Sequence, residues 1–300
     1  MASLDKDKLP AISFYKKKEI HCPYCKKKFK REEILSGGGR MIAGDLTDEL
    51  HRTYEPSPKF GKVYPLLYPV CACPHCQVAL LWQDFDVKPE PSVIRNLIHT
   101  EQKRKSAVNT IFPYYNLDKP RKLYDGAAMY YLALLSYEQM PASFLPTIKR
   151  AIISLRLAWI TKDLDAECPN RGFDYISQRF YRKALFFYDE SLIREQAQKE
   201  NLTGLANLGP DIDKNYGYDG VIYLCGLLEF KYGQREDINA RIKKLDNAKH
   251  AIARSFGLGK STKAKPGPLL EHSRALYDNI NKELKEAETL DLDLDLDFDT

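Results

Sequence analysis

Cys22-Pro23-Tyr24-Cys25 and Cys73-Pro74-His75-Cys76 decide how the N-terminal part of this chain folds. Each stretch is a Cys-Pro-x-Cys pair, whose tight turn can present two thiolates to one point in space. A tetrahedral zinc ion takes four such ligands, and two pairs supply them. The sequence therefore predicts one Zn²⁺ held by Cys22, Cys25, Cys73 and Cys76. Four thiolates leave no open coordination position, so the predicted ion is structural rather than catalytic.

Other side chains near the two pairs leave alternatives open. His21 and His75 lie beside the cysteines, and either could replace one as a ligand, although a supporting or exposed role is expected. Cys71 precedes the second pair by two residues and is expected to pack within a strand. A redox-active Cys-x-x-Cys is disfavoured, because the second pair completes a metal site.

Residues 19–90 are predicted to form a small β zinc ribbon. The stretch from Val63 to Val70 is rich in β-forming residues but is interrupted by prolines, which is typical of a short edge strand. Leu80, Leu81 and Trp82 predict a second strand that leads away from the second pair. A domain with so small a core depends on its metal for folding free energy.

Residues 91–256 show the hydrophobic periodicity of helices, with Ser92 as a candidate N-cap. Three helical hairpins are predicted: residues 124–139 with 146–161, a second within about 173–205, and 216–232 with 236–254. Helical pairs at intervals of roughly 40 residues favour a tetratricopeptide-like solenoid. An ordinary helical bundle is the alternative. The expected fold is mainly α, with tetratricopeptide-like hairpins following the N-terminal ribbon.

The ends and linkers differ in composition from these two regions. Residues 1–18 are expected to be a flexible arm, 257–268 a linker, 269–287 a C-terminal helix and 288–300 an acidic Leu-Asp tail. The tail is expected to be disordered, with docking on a partner or on the chain's own basic body as alternatives. The stretch Gly257–Thr262 ends like a P-loop, but Arg254 stands where the first glycine is required and the preceding pattern is helical, so no nucleotide site is expected.

Charge and cysteine usage narrow the class of protein. The net charge is +5, and residues 286–300 contain seven acids, so the rest of the chain carries +12. A body with this charge could bind nucleic acid, an acidic protein or the chain's own acidic tail. No apolar run of about 18 residues predicts a membrane span. The residues Met1 to Pro10 lack a signal-peptide core. Thiols used mainly as metal ligands are typical of a reducing compartment, so a cytoplasmic location is expected.

Four stretches of the chain resemble one bacterial family, known as domain of unknown function 2225. They are Cys22 to Phe29, Tyr64 to Cys76, Leu155 to Trp159, and Tyr223 to Gly233. The likeness spans roughly residues 19–255. It implies an N-terminal zinc ribbon joined to a tetratricopeptide-like helical region, with the family's four cysteines at Cys22, Cys25, Cys73 and Cys76. Gln77 departs from the glycine that ribbons often carry after the second pair. The family implies no established activity.

A basic run follows the first cysteine pair and suggests nucleic-acid binding. Lysines and arginines neutralise phosphates, and interleaved aromatic rings can stack on bases. The candidate residues are Lys26, Lys27, Lys28, Lys30 and Arg31. A solvated surface is the alternative interpretation, and no recognition helix accompanies the ribbon. A zinc-ribbon protein associated with nucleic acid or the ribosome is therefore the second functional hypothesis.

The leading hypothesis is a non-enzymatic adaptor or scaffold that presents its helical hairpins to a protein partner. The helical region is rich in tyrosine, a residue suited to interface contacts, although most aromatic residues on a helical stripe belong to the core. The candidate contact residues are Tyr130, Tyr131, Tyr137, Tyr181, Tyr188 and Tyr223. No Gly-x-Ser-x-Gly or His-Glu-x-x-His motif is present. An enzyme whose site assembles from distant residues is the remaining alternative.

Overall fold

The computed structural model describes residues 10–256 and 267–296, with side chains up to residues 255 and 287 in these stretches. The chain is mainly helical, and small antiparallel strand pairs occupy its N-terminal region, which confirms the predicted fold class. The strand pairs are β1 (Ser13–Tyr15) with β4 (Glu32–Ile34), β2 (Ile20–His21) with β3 (Lys28–Phe29), β5 (Ile42–Leu46) with β6 (Arg52–Glu55), and β7 (Val70–Ala72) with β8 (Ala79–Leu81).

Consecutive helices pack against one another from α2 to α9. Their bounds are α1 (Trp82–Phe85), α2 (Pro91–His99), α3 (Glu101–Ile111), α4 (Leu123–Tyr137), α5 (Pro146–Glu167), α6 (Phe173–Gln196), α7 (Gly217–Tyr232), α8 (Ile238–Phe256) and α9 (Gly267–Leu296). The centre of the core is α5, whose apolar side chains are buried on most of its faces between α4 and α6. Each fully buried Leu or Ile there stabilises the fold by about 1.5–3 kcal/mol.

The second predicted hairpin is wrong. Residues 173–196 form the single long helix α6, because no Gly or Pro interrupts the pattern before Gln196. The chain then runs through an irregular segment that holds only a short 3₁₀ turn at Leu202–Gly204. Helix α6 therefore packs between α5 and α7 rather than against a partner of its own. The tetratricopeptide-like repeat itself stays a prediction.

Local boundaries also differ from the sequence-based expectations. Pro65–Leu67 is a 3₁₀ turn, so the strand before the second cysteine pair is limited to Val70–Ala72. Trp82 begins α1 instead of ending a strand. Helix α2 begins at Pro91, so Ser92 lies inside its first turn and is not the cap. Proline at the first helical position accounts for this, because its missing N–H is one of the unpaired donors of a helix start.

Regular secondary structure extends into both segments that the sequence predicts to be an arm and a tail. Ser13–Tyr15 pairs with β4, so an arm of 1–18 is wrong for these residues, whose backbone finds hydrogen-bond partners in a strand. At the other end, α9 continues to Leu296, beyond the predicted end at residue 287. The P-loop-like stretch from Gly257 to Thr262 and the last four residues lie outside the described residues. None of the described helices has the length and apolarity that crossing a membrane requires.

A buried ion pair joins the N-terminal strands to the helices. The Arg121 guanidinium donates to the Glu32 carboxylate at 2.9 Å, and both side chains are almost completely buried. Arg121 also donates to the carbonyls of Leu67 at 2.6 Å and Val70 at 3.0 Å, and Ser13 donates to Glu32 at 2.6 Å. Removing one partner of such a pair costs about 3–5 kcal/mol, because the other charge is left buried.

The turn between β5 and β6 inserts into the helical region. Its Leu50 is fully buried, and Glu49 is 7% exposed. The Glu49 carboxylate accepts hydrogen bonds from four side chains on three helices: Trp159 of α5, Tyr181 of α6, and Lys231 and Tyr232 of α7. This face of the helices is therefore filled by the chain's own turn. Sequence analysis missed the insertion, because residues 47–51 are mostly polar and have the composition of an exposed loop.

Candidate metal centre and binding surfaces

The two cysteine pairs occupy matching turns, each closed by a strand pair. In the first turn the Lys26 amide donates to the Cys22 carbonyl at 3.0 Å, and in the second the Gln77 amide donates to the Cys73 carbonyl at 2.9 Å. Lys26 and Gln77 both adopt left-handed backbone angles, with φ of 65° and 56°. Each reversal turns the chain back directly after the second cysteine, so that the strands on either side of the turn can pair. Gln77 thus occupies a position that favours glycine.

The four sulfur atoms converge on one point. The Cys22 and Cys76 sulfurs are 3.7 Å apart, as are those of Cys25 and Cys73, and all four lie within 4.8 Å of one another. With a Zn–S bond of about 2.3 Å, a regular tetrahedron of sulfurs has an edge of about 3.8 Å. The cysteine cluster could therefore hold a metal ion of that size with little rearrangement.

Hydrogen bonds among the closely spaced thiols shift their pKa values. Side-chain hydrogen bonds from Cys73 and Cys76 lower the pKa of the Cys22 thiol to about 2. The reciprocal hydrogen bond with Cys22 raises the pKa of Cys73 to about 12 and that of Cys76 far above its usual value. A cation at the centre would displace the remaining thiol protons, since thiolates are the metal-binding form.

The neighbouring candidate ligands stay outside this cluster. Cys71 is buried in β7, and desolvation raises the pKa of its thiol to about 12. His75 is exposed, with its Nε2 3.2 Å from the Lys28 carbonyl, where it connects the two turns. His21 is exposed in β2. Among the described residues, only the four predicted cysteines form a cluster that could hold a metal.

The metal centre is fixed to the helices by buried polar contacts. The Arg104 guanidinium of α3 donates to the Cys76 carbonyl at 3.3 Å and to the Leu97 carbonyl of α2 at 2.7 Å. On the α4 side, Ser136 accepts from the Ala79 amide at 3.3 Å, and the Tyr137 hydroxyl accepts from the Leu81 amide at 3.2 Å. The orientation of the second turn therefore depends on three helices.

Comparison with known proteins identifies the family of the chain. Residues 15–280 match the family described as "Uncharacterized protein conserved in bacteria (DUF2225)". The chain belongs to this family. The match covers most of the chain and extends past the residue near 255 at which the resemblance seen in the sequence ends.

A relative of the chain is known from Borreliella burgdorferi (strain ATCC 35210 / DSM 4680 / CIP 102532 / B31), where it is described as "Uncharacterized protein". It is 38% identical over 275 residues, which cover 91% of this chain and 98% of the relative. No solved structure gives a significant match to the chain. The comparisons therefore establish the family and leave its activity to be argued from the structure.

The tyrosines predicted to contact a partner lie in the core of this DUF2225 chain. Tyr130, Tyr137 and Tyr188 have no exposed surface, and Tyr181 is 2% exposed. Their assignment to a partner surface is corrected: helix packing covers their rings. Three of the hydroxyls have internal acceptors, since Tyr130 donates to the Leu66 carbonyl, Tyr137 to Asp84 and Tyr181 to Glu49. Of the other two candidates, Tyr223 is buried and Tyr131 is partly buried.

The predicted basic residues surround the first cysteine turn and β3. Lys26, Lys27, Lys28 and Lys30 are exposed. Arg31 is different, because its guanidinium stacks on the Trp82 ring at 3.7 Å and pairs with Glu33 at 3.0 Å. The structure thus places these five residues on one small module, with four lysines accessible to an anion and Arg31 engaged within the protein.

A groove of about 800 Å³ runs along α7 between α6 and α8. Its apolar lining includes Leu192, Tyr218 and Ile222, and small residues of α8 widen it. Asp189 of α6 and Glu229 of α7 contribute carboxylates. Burial and, to a smaller extent, the Glu229 charge raise the pKa of Asp189 to about 6. Sequence analysis did not identify this groove, because it depends on how three helices separate rather than on any one motif.

Proposed function

We propose that the protein is a non-enzymatic, zinc-binding adaptor of the cytoplasm, whose helical region presents a groove to a protein partner. The observation that carries the proposal is the groove between α6, α7 and α8, which is large and open to solvent and has both apolar and charged walls. Consecutive packing of α4 to α8 supports a tetratricopeptide-like mode of presentation, in which grooves between helices receive peptide segments.

Zinc is the proposed metal, in one structural site. Four cysteine sulfurs at tetrahedral spacing suit Zn²⁺, and an all-thiolate shell is typical of closed structural sites. All seven cysteines are unpaired, which supports a reducing compartment such as the cytoplasm. The ion would hold the two turns together, and the contacts of Arg104 and Ser136 would transmit that rigidity to the helices.

The chemistry of the groove defines the partner segment. Tyr218 and Ile222 offer apolar surface at its floor, while Asp189 and Glu229 lie on the α6–α7 side. One oxygen of Glu229 is buried and accepts no hydrogen bond, although the Arg241 guanidinium lies 3.8 Å from it, and Lys244 is 3.6 Å from the other oxygen. We expect a segment that buries an apolar side chain at the floor and brings a lysine or arginine to these carboxylates.

The exposed face of α6 supports a protein partner independently of the groove. Tyr175, Phe186 and Ile193 are each about 60% exposed, and their spacing of 11 and 7 residues places them on one side of the helix. Large apolar side chains that share an exposed helix face indicate an interaction surface more strongly than single ones do.

An enzymatic function has less support. The closed shell of four thiolates leaves the metal without a substrate position. The pair that most resembles an acid–base dyad is His51 with Asp211, whose Nδ1 and Oδ2 atoms are 2.5 Å apart. However, the same carboxylate also accepts the Arg52 amide at 2.8 Å, and the His51 ring stacks on Trp159. These contacts give the pair a structural role at the base of the inserted turn.

The test is recovery of the tagged full-length protein from native cells, with half of each sample treated with nuclease. Ile222→Arg introduces a charge into the groove, and Ile98→Arg makes the same change at an exposed position of α2. We expect one defined protein partner that survives nuclease, is lost with Ile222→Arg and is kept with Ile98→Arg. Recovery of nucleic acid or a ribosomal set that nuclease removes would instead favour the basic module.

A further inference from the structure

A second cavity lies at the junction of the two cysteine turns, away from the helical groove. Its volume is about 380 Å³, within the range of small-molecule sites. Three parts of the chain form it: Tyr15 of β1, the stretch Lys28–Glu32, and Ala72, Pro74 and His75 at the second turn. Arg121 and Asp118, on the segment that precedes α4, complete the wall. The cavity exists only where both turns are in place.

Cationic side chains dominate this cavity. Lys28, Lys30, Arg31 and Arg121 face two carboxylates, Glu32 and Asp118, so the wall carries a net charge of +2 with His75 neutral. Arg121 is already neutralised by its buried pair with Glu32. Lys28 and Lys30 are exposed and have no ion-pair partner within the part of the chain that the structure describes. Arg31 pairs with Glu33, which lies outside the wall, so the cationic charge without an ion-pair partner is that of these two lysines, opposed by Asp118.

The remaining wall suits a ligand with a planar or hydrogen-bonding part. Phe29 contributes an aromatic ring, whose edge-to-face contact with Phe85 at 5.9 Å fixes its position. Tyr15 contributes a buried hydroxyl that has no hydrogen-bond partner among the described residues. The His75 ring is held by its contact with the Lys28 carbonyl at 3.2 Å.

We propose that this cavity is a binding site for a phosphate group, either free or carried by a nucleotide or an RNA end. Lysine ammonium groups bind phosphate as point charges, and the neighbouring aromatic ring can stack on a base. Because both cysteine turns supply the wall, the site depends on the relative placement of the two turns. The site shares no residue with the groove between α6, α7 and α8, so it is independent of the proposed adaptor function.

The test is calorimetric titration of the zinc-loaded full-length protein at 150 mM salt with inorganic phosphate, AMP, adenosine, and a short RNA with or without a 5′-phosphate. We expect phosphate-bearing probes to bind and adenosine not to bind. Equal affinities for phosphate and AMP would assign binding to the phosphate alone, whereas tighter AMP binding would add stacking on Phe29. RNA that binds only with its 5′-phosphate would identify an RNA end as the source.

Matched variants separate this site from general electrostatics. Lys28→Gln with Lys30→Gln should weaken phosphate binding at least tenfold, while Lys17→Gln with Lys18→Gln, which removes the same charge from exposed positions outside the cavity, should change it less than twofold. Asp118→Asn should tighten binding about two- to fivefold, since it removes an opposing charge. Metal content and circular dichroism report folding. Absence of binding by every phosphate probe, or equal losses in both double variants, would overturn the proposal.

Discussion

The Glu49 carboxylate accepts a hydrogen bond from the indole nitrogen of Trp159 at 2.5 Å, across 110 residues of sequence. The same carboxylate is bound by Tyr181, Lys231 and Tyr232. The N-terminal region therefore does more than enclose the cysteine cluster, because its β5–β6 turn occupies one face of the helical region. A partner of the helices has to use another face, such as the open groove between α6, α7 and α8.

Loss of the Glu49 carboxylate should destabilise the whole molecule. Glu49→Ala removes the acceptor of the buried Trp159 and Tyr181 donors and of the partly buried Tyr232 hydroxyl, while Lys231 keeps its ion pair with Asp48. We expect a loss of about 3–5 kcal/mol in the free energy of unfolding. Urea denaturation followed by tryptophan fluorescence measures it. Asp45→Ala, at an exposed position of β5, is the control and should cost less than 0.5 kcal/mol. Equal effects of the two substitutions would show that the inserted turn does not stabilise the fold.

Loss of one sulfur should unfold the metal-binding module first. Cys73→Ser removes a ligand from the tetrahedral cluster, so metal content should fall and residues 19–86 should become sensitive to protease while helical circular dichroism persists. Cys168→Ser removes an exposed thiol outside the cluster and serves as the control. Elemental analysis and limited proteolysis provide the readouts. Undiminished protease resistance of residues 19–86 in Cys73→Ser would contradict a structural role for the ion.

The left-handed backbone angle of Gln77 should make glycine more stable than alanine at this position. Because its φ is 56°, Gln77→Gly should be more stable than Gln77→Ala by about 1 kcal/mol, since both substitutions lose the contact with Tyr115 and only alanine keeps the left-handed penalty. Lys26, with φ of 65°, should give the same order. Thermal unfolding of the zinc-loaded proteins measures the difference. An alanine variant as stable as glycine at both positions would contradict the turn geometry.

Asp189 should make the folded protein less stable as the pH rises. Its pKa is raised to about 6 by burial and by Glu229, whereas an unfolded aspartate has a pKa of about 3.9. The native state therefore holds the Asp189 proton more tightly than the unfolded state does. The stability that protonated Asp189 contributes is present at pH 4 and is lost as the pH rises through 6.

Replacing Asp189 with asparagine removes this titration. Asp189→Asn should stabilise the protein by about 1–3 kcal/mol at pH 8 and by almost nothing at pH 4. Denaturant melts across this range measure the difference between the two proteins. The lysine of α8 that faces this pair, Lys244, opposes the shift, so Lys244→Gln should enlarge it. A constant difference between Asp189→Asn and the wild type from pH 4 to pH 8 would show that Asp189 ionises normally.

Sequence spacing predicted the features that depend on local chemistry. The Cys-Pro-x-Cys pairs identified all four members of the sulfur cluster, because ligand spacing within a turn is a local property. Helical periodicity located α4, α5, α7 and α8 to within a few residues at their starts. Periodicity also marks which side of a helix is apolar. It does not tell whether another helix covers that side, and for this reason Tyr130 and Tyr188 were assigned to a surface although they are buried.

Long-range polar contacts could not be predicted in the same way. Glu32 and Arg121 are 89 residues apart, and both are charged residue types that are usually exposed. Only the fold shows that they pair. Glu49 lies in a stretch that is mostly polar, and its burial depends on donors from three different helices. The groove along α7 likewise follows from the separation of α6 and α8, for which no local sequence signal exists.

The most direct test of the adaptor account is photo-crosslinking in living cells from a single groove position. A photoreactive phenylalanine replaces Ile222 at the groove floor, and the same residue at Ile98 on α2 is the control. The account predicts one discrete protein adduct from position 222, absent at position 98 and suppressed by excess unlabelled wild-type protein. An absence of protein adducts from position 222, or the same adducts from both positions, would contradict it.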